Sequence, residues 1–275
     1  MSSQDLGIVR QYLHAVSTVV EVAAAIDSTN NRAMHLAETG SPHGTVVWAD
    51  TQQLGRGRHG RSWHSPSGRN VYLSVILRPK IHAAIAPQFT LDAALAVARA
   101  IEQYAAVPQL RLKWPNDLVT LDSTEPREFK KIAGILTELR TKRNGVDALV
   151  VGIGLNIGRM NPNPAAPNAT SMLDVCTDLD FGSECSLLEL RAKVSASLVS
   201  QIIDACASFA QRGRFARDEW QARALSFGRK VQVSVPGHSS YVARTANVDA
   251  FGRLQVQRGD ALETIVAGDV TYLGG

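Results

Sequence analysis

The stretch ALVVGIGLNIG, residues 148–158, is a nearly uninterrupted run of apolar residues. A short run of this kind, with no alternation of polar side chains, is typical of a strand buried on both faces of a sheet. Gly152 and Gly154 interrupt it, and because glycine weakens a strand, a closely packed ligand or a bend is the better explanation for them. Asn156 follows with a hydrogen-bond donor and an acceptor at the strand end. The stretch therefore predicts a central strand whose glycines mark either a closely packed ligand or a bend.

Segments on either side of this run predict the rest of a large α/β unit. Further strands are predicted at TVVWAD (45–50), NVYLSVILRP (70–79), LRLKW (110–114), DLVTL (117–121) and KIAGILTELR (131–140). Residues 88–106 carry apolar side chains at helical spacing, which places Leu91, Leu95, Ala98 and Ile101 on one face. Other helices are predicted at residues 6–25, 31–38, 186–210 and 214–225.

The residue pattern of the sequence changes near Ser226. From there KVQVSV, YVARTANVD, RLQVQ and ETIVAGDVTYL read as short strands, separated by the turns PGHS, DAFG and RGDA. About 50 residues of this kind indicate a small β-barrel appended to the larger unit. The chain is therefore predicted to have two domains, residues 1–225 and 226–275.

Composition restricts the class of protein. The chain has 275 residues, 45% of them hydrophobic and 20% charged, with a net charge of +4, which is ordinary for a soluble globular protein. Its three cysteines are odd in number and form no C-x-x-C pair, so neither a disulfide framework nor a zinc site is expected. Since there is no signal-peptide pattern and no long uncharged apolar window, we expect a cytoplasmic protein without a membrane span.

The segment GRGRHGRSWHSPSGRN, residues 55–70, contains four arginines and no acid. It matches G-x-G-x-x-G literally, but no helical pattern follows, so it does not predict a dinucleotide site, and it lacks the Gly-Lys-Ser/Thr of a phosphate-binding loop. A solvated surface loop would explain the glycines but not the arginine spacing. Arg56, Arg58 and Arg61 instead favour a loop that closes over an anionic ligand, although a nucleic-acid-binding module remains an alternative.

Three further motifs are ambiguous when each is taken alone. KWPND (113–117) brings opposite charges together, as a turn with an ion pair would. Lys131 begins a buried-type strand that Gly134 interrupts, and it is either a solvated strand end or a functional group. DSTN (27–30) is either a helix N-cap or a site for a small polar ligand.

Taken together, these motifs resemble the biotin–protein ligases of bacteria, the biotin–[acetyl-CoA-carboxylase] ligases. The resemblance is carried by DSTN (27–30), TQQLGRGRHGRSW (51–63), KWPND (113–117), KIAGIL (131–136) and GIGLN (152–156). It implies an α+β fold: a mixed-sheet catalytic domain of the biotin/lipoate ligase type, similar to class II synthetases, and a small C-terminal SH3-like β-barrel. Because DSTN begins at position 27, the expected form is the one that lacks the N-terminal DNA-binding domain, and no DNA binding is expected.

The resemblance also implies roles for individual residues. The biotin site would comprise Ser28, Thr29, Asn30 and Gln52 at the ureido ring, the loop residues Arg56, Gly57 and Arg58, and Lys131, Gly134 and Gly152. The nucleotide site would comprise Arg58 and Arg61 at the phosphates, Trp63 near the adenine, and Lys113, Asn116, Asp117 and Asn156. Lys131, Arg58 and Arg56 would be catalytic, with no metal-ligating residue.

The implied substrates are biotin and ATP, with Mg²⁺ on the phosphates. The implied partner is a biotin carboxyl carrier protein domain, and the chain would be a monomer or a homodimer. Lipoate attachment is the alternative activity within the same fold.

Overall fold

The computed structural model describes residues 1–17, 19–121, 128–143, 145–161, 166–176, 186–235, 237, 239–266 and 268–273. The helices are α1 (Ser3–His14), α2 (Thr29–Glu38), α3 (Phe89–Glu102), α4 (Met172–Val175), α5 (Leu187–Arg212) and α6 (Arg217–Arg223). The strands of the first sheet are β1 (Val20–Ile26), β2 (Thr45–Gln52), β3 (Val71–Leu77), β4 (Leu110–Lys113), β5 (Asp117–Leu121), β6 (Phe129–Lys142) and β7 (Gly145–Leu155). The second sheet contains β8 (Lys230–Ser234), β9 (Tyr241–Val248), β10 (Leu254–Arg258), β11 (Ala261–Ile265) and β12 (Asp269–Tyr272).

The first sheet has the strand order β1-β2-β3-β7-β6-β5-β4. β1 pairs with β2 in parallel and all other neighbours are antiparallel, so the sheet is mixed as predicted. β7 lies between β3 and β6, and its residues from Ala148 to Ile153 are all buried. The prediction of a central strand is confirmed, and its uninterrupted apolar pattern follows from burial on both faces.

Helices cover both faces of this sheet. α3 and α5 pack on one face, while α2 packs on the other through Ala33 and Ala37 against Val47 and Val150. The predicted apolar face of α3 is buried, and so are most of its other side chains, because α5 covers the side that the sheet leaves open. The segment Ala83–Glu102 is long and apolar enough to cross a membrane by composition alone, but a largely buried core helix such as this one passes the same test.

The prediction of a helix over residues 6–25 is wrong in its second half. α1 ends at His14, and residues Val20–Ile26 form β1 beside β2. The sequence VEVAAAI is rich in alanine, which favours a helix locally. Pairing with the backbone of β2 overrides that preference, and this pairing joins segments that local periodicity does not relate.

The second sheet has the order β11-β10-β9-β8-β12 and is antiparallel throughout. The segment ETIVAGDVTYL, predicted as one strand, is divided between β11 and β12, with Gly268 at a φ of 139° between them. The sheet packs against the larger unit, where the Trp114 indole N–H donates to the Gly252 carbonyl at 2.9 Å. The two sheets fall on opposite sides of residue 225, while the domain boundary itself stays a prediction.

Candidate active site

A cavity lies where the N-terminus of α2, the arginine loop (residues 55–70), strands β4 to β7 and strand β12 come together. Fifteen of the sixteen predicted site residues line it: Ser28, Thr29, Asn30, Gln52, Arg56, Gly57, Arg58, Arg61, Trp63, Lys113, Asn116, Asp117, Lys131, Gly134 and Gly152. Five separate motifs of the sequence therefore meet at one place. The strand order brings them together, because β5, β6 and β7 are neighbours in the sheet.

Asn156 is the exception, since it does not line the cavity. Its side-chain amide donates to the Thr170 carbonyl at 3.0 Å, and its backbone N–H donates to the Ile132 carbonyl. The residue is 5% exposed and joins the end of β7 to the segment before α4. These hydrogen bonds engage Asn156 in the scaffold, and its nucleotide contact stays a prediction.

Polar groups of α2 and its neighbours form one end of the cavity. Ser28 caps α2 by accepting from the Asn31 N–H at 3.4 Å. The N–H and hydroxyl of Thr29 both donate to the side-chain oxygen Oε1 of Gln52, at 2.9 and 3.1 Å. The Ser74 hydroxyl lies 2.9 Å from the Thr29 hydroxyl and 2.6 Å from Asn30 Oδ1. These side chains hold one another, so the end of the cavity is a fixed set of donors and acceptors.

Two lysines and one carboxylate form the charged centre of the cavity. Asp117 Oδ1 lies 2.6 Å from Lys131 Nζ, and Asp117 Oδ2 lies 3.2 Å from Lys113 Nζ. The antiparallel register pairs Lys113 with Asp117 directly, so the opposite charges predicted for KWPND do meet. Burial alone would raise the pKa of the Asp117 carboxyl, but the charges and hydrogen bonds of Lys131 and Lys113 outweigh it and leave the pKa lowered.

The sequence of the arginine loop contains no acid, but acidic side chains from other segments lie beside the loop in the folded structure. Arg56 pairs with Glu138 at 2.9 Å and Arg61 with Asp269 at 2.6 Å, and both acids are distant in sequence. Within the described residues, Arg58 has no carboxylate within 4.0 Å. Burial lowers the pKa of the Arg58 guanidinium, opposed by the charges of Asp269 and Asp117. Five cations and two carboxylates line the cavity, so the predicted attraction for anions stands.

The structure also excludes a dinucleotide-binding loop. After β2 the chain forms a short 3₁₀ turn at Arg58–Gly60, and no helix follows before β3. The turn is held by a bridge between Arg56 and Ser62 and by a hydrogen bond from the Trp63 N–H to the Gly55 carbonyl at 2.8 Å. The loop therefore returns on itself and sets Trp63 against the sheet.

Trp63 explains the glycines of β6 and β7. Gly134 and Gly154 are register partners, and the Trp63 ring lies over both. A Cβ atom on Gly134 would come within 2.8 Å of the ring, and one on Gly154 within 2.6 Å of the indole nitrogen. The Lys131 Nζ lies 5.0 Å from the ring centroid, within the range of a cation–π contact. Gly152 likewise leaves room for Asn30, whose side chain occupies the space that a Cβ atom on Gly152 would need.

Three acidic or polar residues of the site escaped sequence reasoning: Ser74, Glu138 and Asp269. Ser74 and Glu138 are polar residues within predicted apolar strands, which is a weak but usable signal. Asp269 has no such signal, because it reaches the loop only through the docking of the second sheet.

No cluster of three or more His, Cys, Asp or Glu side chains suited to a metal occurs among the residues that the structure describes. The two carboxylates lining the cavity are each engaged with cations. Cys176 and Cys206 are buried, as predicted, while Cys185 lies outside the described residues.

The sequence profile of the biotin/lipoate A/B protein ligase family matches residues 22–156. The chain is 32% identical over 258 residues to the biotin–[acetyl-CoA-carboxylase] ligase of Paracoccus denitrificans, covering 92% of this chain and 99% of that protein. It is 30% identical over 258 residues to the Mycobacterium tuberculosis enzyme of the same name, covering 92% and 89%. The chain therefore belongs to the biotin/lipoate A/B protein ligase family.

Further similarities lie within the biotin branch of the family. The Bacillus subtilis bifunctional ligase/repressor BirA is 32% identical over 253 residues, covering 89% of this chain and 71% of that protein. The biotin protein ligase of Aquifex aeolicus, solved with biotin and ATP, has a TM-score of 0.73 at 24% identity over 94% of this chain and 99% of that one. The resemblance and the fold class expected from the sequence are both confirmed.

Proposed function

We propose that this chain is a biotin–protein ligase that activates biotin with ATP and transfers the biotinyl group to a lysine of an acceptor protein. The observation that carries the proposal is the Lys131–Asp117–Lys113 centre beside Arg58, at one end of a cavity whose other end is a fixed polar pocket. Such a cavity suits a ligand with a polar neutral ring and a carboxylate, next to a phosphate anion. The biotin–[acetyl-CoA-carboxylase] ligases at 30–32% identity support the same function.

In the first half-reaction, the biotin carboxylate attacks the α-phosphorus of ATP. A carboxylate–phosphorus bond forms and the bond to pyrophosphate breaks, which gives biotinyl-5′-AMP. Two anions about 4 Å apart repel by about 4 kcal/mol at an effective dielectric constant near 20. Lys131, Arg58 and Arg56 offset this repulsion, with Lys131 at the reacting oxygens and Arg58 and Arg61 at the phosphates.

In the second half-reaction, an acceptor lysine amine attacks the carbonyl carbon of the mixed anhydride. An amide bond forms, AMP leaves with the electron pair of the broken carbon–oxygen bond, and the amine loses a proton. Both nucleophiles belong to substrates, so the enzyme needs no Ser or Cys nucleophile. The loop at residues 54–64 orders over the intermediate and keeps water away from the anhydride.

The polar pocket receives the ureido ring through Ser28, Thr29, Asn30 and Gln52, with Gly152 leaving room for the Asn30 side chain. Trp63, Lys113, Asn116 and Asp117 belong to the nucleotide side, and Gly57 and Gly134 allow loop and indole to approach. Mg²⁺ accompanies the triphosphate, bound by phosphate oxygens and water, since the carboxylates of the cavity are engaged with lysine and arginine.

The acceptor we propose is the biotin carboxyl carrier domain of a biotin-dependent carboxylase, in the cytoplasm. Support comes from the names of the relatives, which refer to acetyl-CoA carboxylase. A monomer or a homodimer, and the absence of DNA binding, stay predictions.

Exchange of labelled pyrophosphate into ATP by the purified chain tests this function. We expect exchange that requires biotin and is not supported by lipoate at equal concentration. Exchange with lipoate alone would move the chain to the lipoate branch. No exchange with either acid, together with salt-dependent binding of DNA or RNA, would favour the nucleic-acid-binding alternative.

A further inference from the structure

Glu138 contacts Asn30 of the polar pocket and Arg56 of the arginine loop at once. It lies on β6, and its carboxylate is 23% exposed. Oε2 accepts from Asn30 Nδ2 at 2.8 Å, and Oε1 accepts from an Arg56 guanidinium nitrogen at 2.9 Å. We propose that Glu138 is a positioning residue that fixes the direction of the Asn30 amide, so that the pocket presents a hydrogen-bond acceptor to an N–H group of biotin. This inference rests on the proposed function and identifies a determinant of its ligand specificity.

The chemistry of its partners determines which way the Asn30 amide faces. An asparagine side chain has two N–H donors on one side and an acceptor oxygen on the other. Asn30 Nδ2 faces two groups that only accept, the Glu138 carboxylate at 2.8 Å and the Leu136 carbonyl at 3.3 Å. Turning the amide over would set oxygen against both. The donors are therefore directed to β6, and Oδ1 is directed away from it.

In this orientation of the amide, Asn30 Oδ1 lies at the floor of the cavity. Asn30 Oδ1 accepts from the Ser74 hydroxyl at 2.6 Å and occupies the space above Gly152. A Cβ atom on Gly152 would overlap Oδ1 and come within 2.8 Å of Asn30 Cγ, so the strand makes room for this orientation. A carbonyl oxygen has two lone pairs, and the one that Ser74 does not use suits an N–H donor. The ureido ring of biotin carries two N–H groups and one carbonyl.

Replacing the carboxylate with an amide of the same shape removes the constraint. The side chain of Glu138→Gln can donate, so the Asn30 amide can turn and set its N–H groups toward the ligand N–H. Arg56 also loses its anionic partner, though it keeps its hydrogen bond to Asn31 Oδ1 at 2.6 Å. The hydrogen bonds of Glu138 to Asn30 and Arg56 do not involve the Lys131–Asp117 centre. Calorimetry without ATP therefore measures the effect on biotin binding separately from any change in the chemical step through Arg56.

Titration calorimetry with biotin and the full-length chain provides the first measurement. For Glu138→Gln we expect the dissociation constant to rise about 10- to 100-fold, as when a buried polar group faces the wrong partner. The Michaelis constant for biotin in pyrophosphate exchange should rise equally. The matched control is Glu102→Gln, a glutamate paired with Arg223 at 2.7 Å outside the cavity, and it should bind as wild type.

Exchanging the amide and the carboxylate between positions 30 and 138 separates an effect on the orientation of the Asn30 side chain from an effect on the stability of the protein. Asn30→Asp alone sets a carboxylate against Glu138 and should abolish measurable binding. In the double variant Asn30→Asp, Glu138→Gln the amide donates to the new carboxylate, the net charge beside Arg56 is kept, and an acceptor again faces the ligand. The double variant should bind biotin at least about tenfold more tightly than Asn30→Asp, a coupling that only interacting side chains show.

Biotin derivatives methylated on one or the other ureido nitrogen give a third readout. Wild type should reject one of them strongly, and Glu138→Gln should lose about tenfold of that discrimination. Wild-type affinity and discrimination in Glu138→Gln would overturn the proposal, and so would a double variant no better than Asn30→Asp. If the melting temperature of Glu138→Gln is too low for calorimetry, the biotin affinities of Asn30→Asp and of the double variant decide between the proposal and its rejection. Lack of biotin-dependent exchange by wild type would refute the proposed function instead.

Discussion

Lys131 is the residue on which the proposed chemistry depends most directly. Its ammonium group is held from two sides, by Asp117 at 2.6 Å and by the Trp63 ring at 5.0 Å. A cation fixed before the substrates arrive stabilises developing charge without reorganising. The sequence predicts the importance of Lys131 only through its motif, because a lysine at the start of a strand is usually just solvated.

Lys131→Ala should reduce adenylate formation by on the order of 10² or more, as when one preorganised donor is removed from a transition state. Biotin-dependent pyrophosphate exchange measures the loss. The adjacent and exposed Lys130 provides the control, since Lys130→Ala removes the same charge from the same strand but leaves the cavity intact. Exchange by Lys131→Ala within about threefold of wild type would contradict the assigned role.

The ion pairs of the site differ in whether the sequence could predict them. The Lys113–Asp117 pair was predictable because both residues lie in one motif. The partners of Arg56 and Arg61 were not, since Glu138 and Asp269 come from other parts of the chain. Sequence proximity reports local charge density, whereas ion pairing depends on which strands become neighbours.

Among the elements, the pair β6 and β7 does most to shape the cavity. Gly134 and Gly154 lie opposite each other and together make a flat area on which the Trp63 indole rests. The sequence predicts close approach at these glycines but does not say that a side chain of the same protein makes it. Trp63 reaches them because the arginine loop folds back over the sheet.

Gly154→Ala should displace the Trp63 indole, because the added methyl group would come within 2.6 Å of the indole nitrogen. Overpacking of this kind costs about 1–3 kcal/mol. We expect the Michaelis constant for ATP in pyrophosphate exchange to rise by about tenfold. Gly145→Ala on the same strand is the control, since its nearest neighbour would be 3.9 Å away. Equal constants for both variants would show that the indole does not contribute to the nucleotide site.

β1 shows where element-level reasoning failed. Local composition favours a continuous helix from residue 6 to residue 25, and the structure ends that helix at His14. The edge position of β1 beside β2 offers backbone hydrogen bonds that a helix would forgo. A scale of secondary-structure propensities considers only the local sequence. It therefore cannot include hydrogen bonds to a partner strand that lies about 25 residues further along the chain.

At the scale of the whole molecule, one buried ion pair joins the sheet to α5 and to the end of the arginine loop. The side chains of Asp50 on β2 and Arg191 on α5 are 1% and 2% exposed and lie 2.6 Å apart. Asp50 also accepts from the Ser67 hydroxyl and from the Gly68 N–H, the latter at 2.9 Å. Arg191 donates to the Asn70 carbonyl at 2.8 Å and stacks on Trp48. The pair therefore fixes the point where the loop rejoins the core.

This pair should make stability depend on pH. Burial alone would raise the pKa of the Asp50 carboxyl, but the hydrogen bonds from Ser67 and Arg191 and the charge of Arg191 leave it lowered. A folded-state pKa below the unfolded value stabilises the protein above the unfolded pKa of about 3.9, and that contribution is lost as pH falls through the folded pKa.

Asp50→Asn should lower the free energy of unfolding at pH 7 by about 3–5 kcal/mol, because Arg191 remains buried without its partner. The difference from wild type should shrink as the pH falls below about 4 and through the lowered folded-state pKa of Asp50, where the wild-type carboxyl becomes protonated. Urea unfolding at several pH values measures both effects. Asp204→Asn, an exposed change on α5, is the control. A difference that does not vary with pH would contradict this account.

The docking of the two sheets also belongs to this scale. Asp269 of β12 pairs with Arg61 at 2.6 Å and lies 3.6 Å from His59 Nε2, so the small sheet supplies a wall of the cavity. The sequence predicts the small sheet as a separate β-rich unit. It does not predict that one of its acids faces the arginine loop.

The sequence by itself determined the mixed sheet with its central strand, the β-rich tail, and fifteen of the residues that line the cavity. It could do so because burial pattern, turn residues and short motifs are local properties of the chain. Only the tertiary structure decided that residues 20–26 form a strand, that the Asn156 amide donates to the Thr170 carbonyl, and that Glu138 and Asp269 face the arginines. Those outcomes depend on contacts between distant segments, which exist only once the sheets have formed and packed.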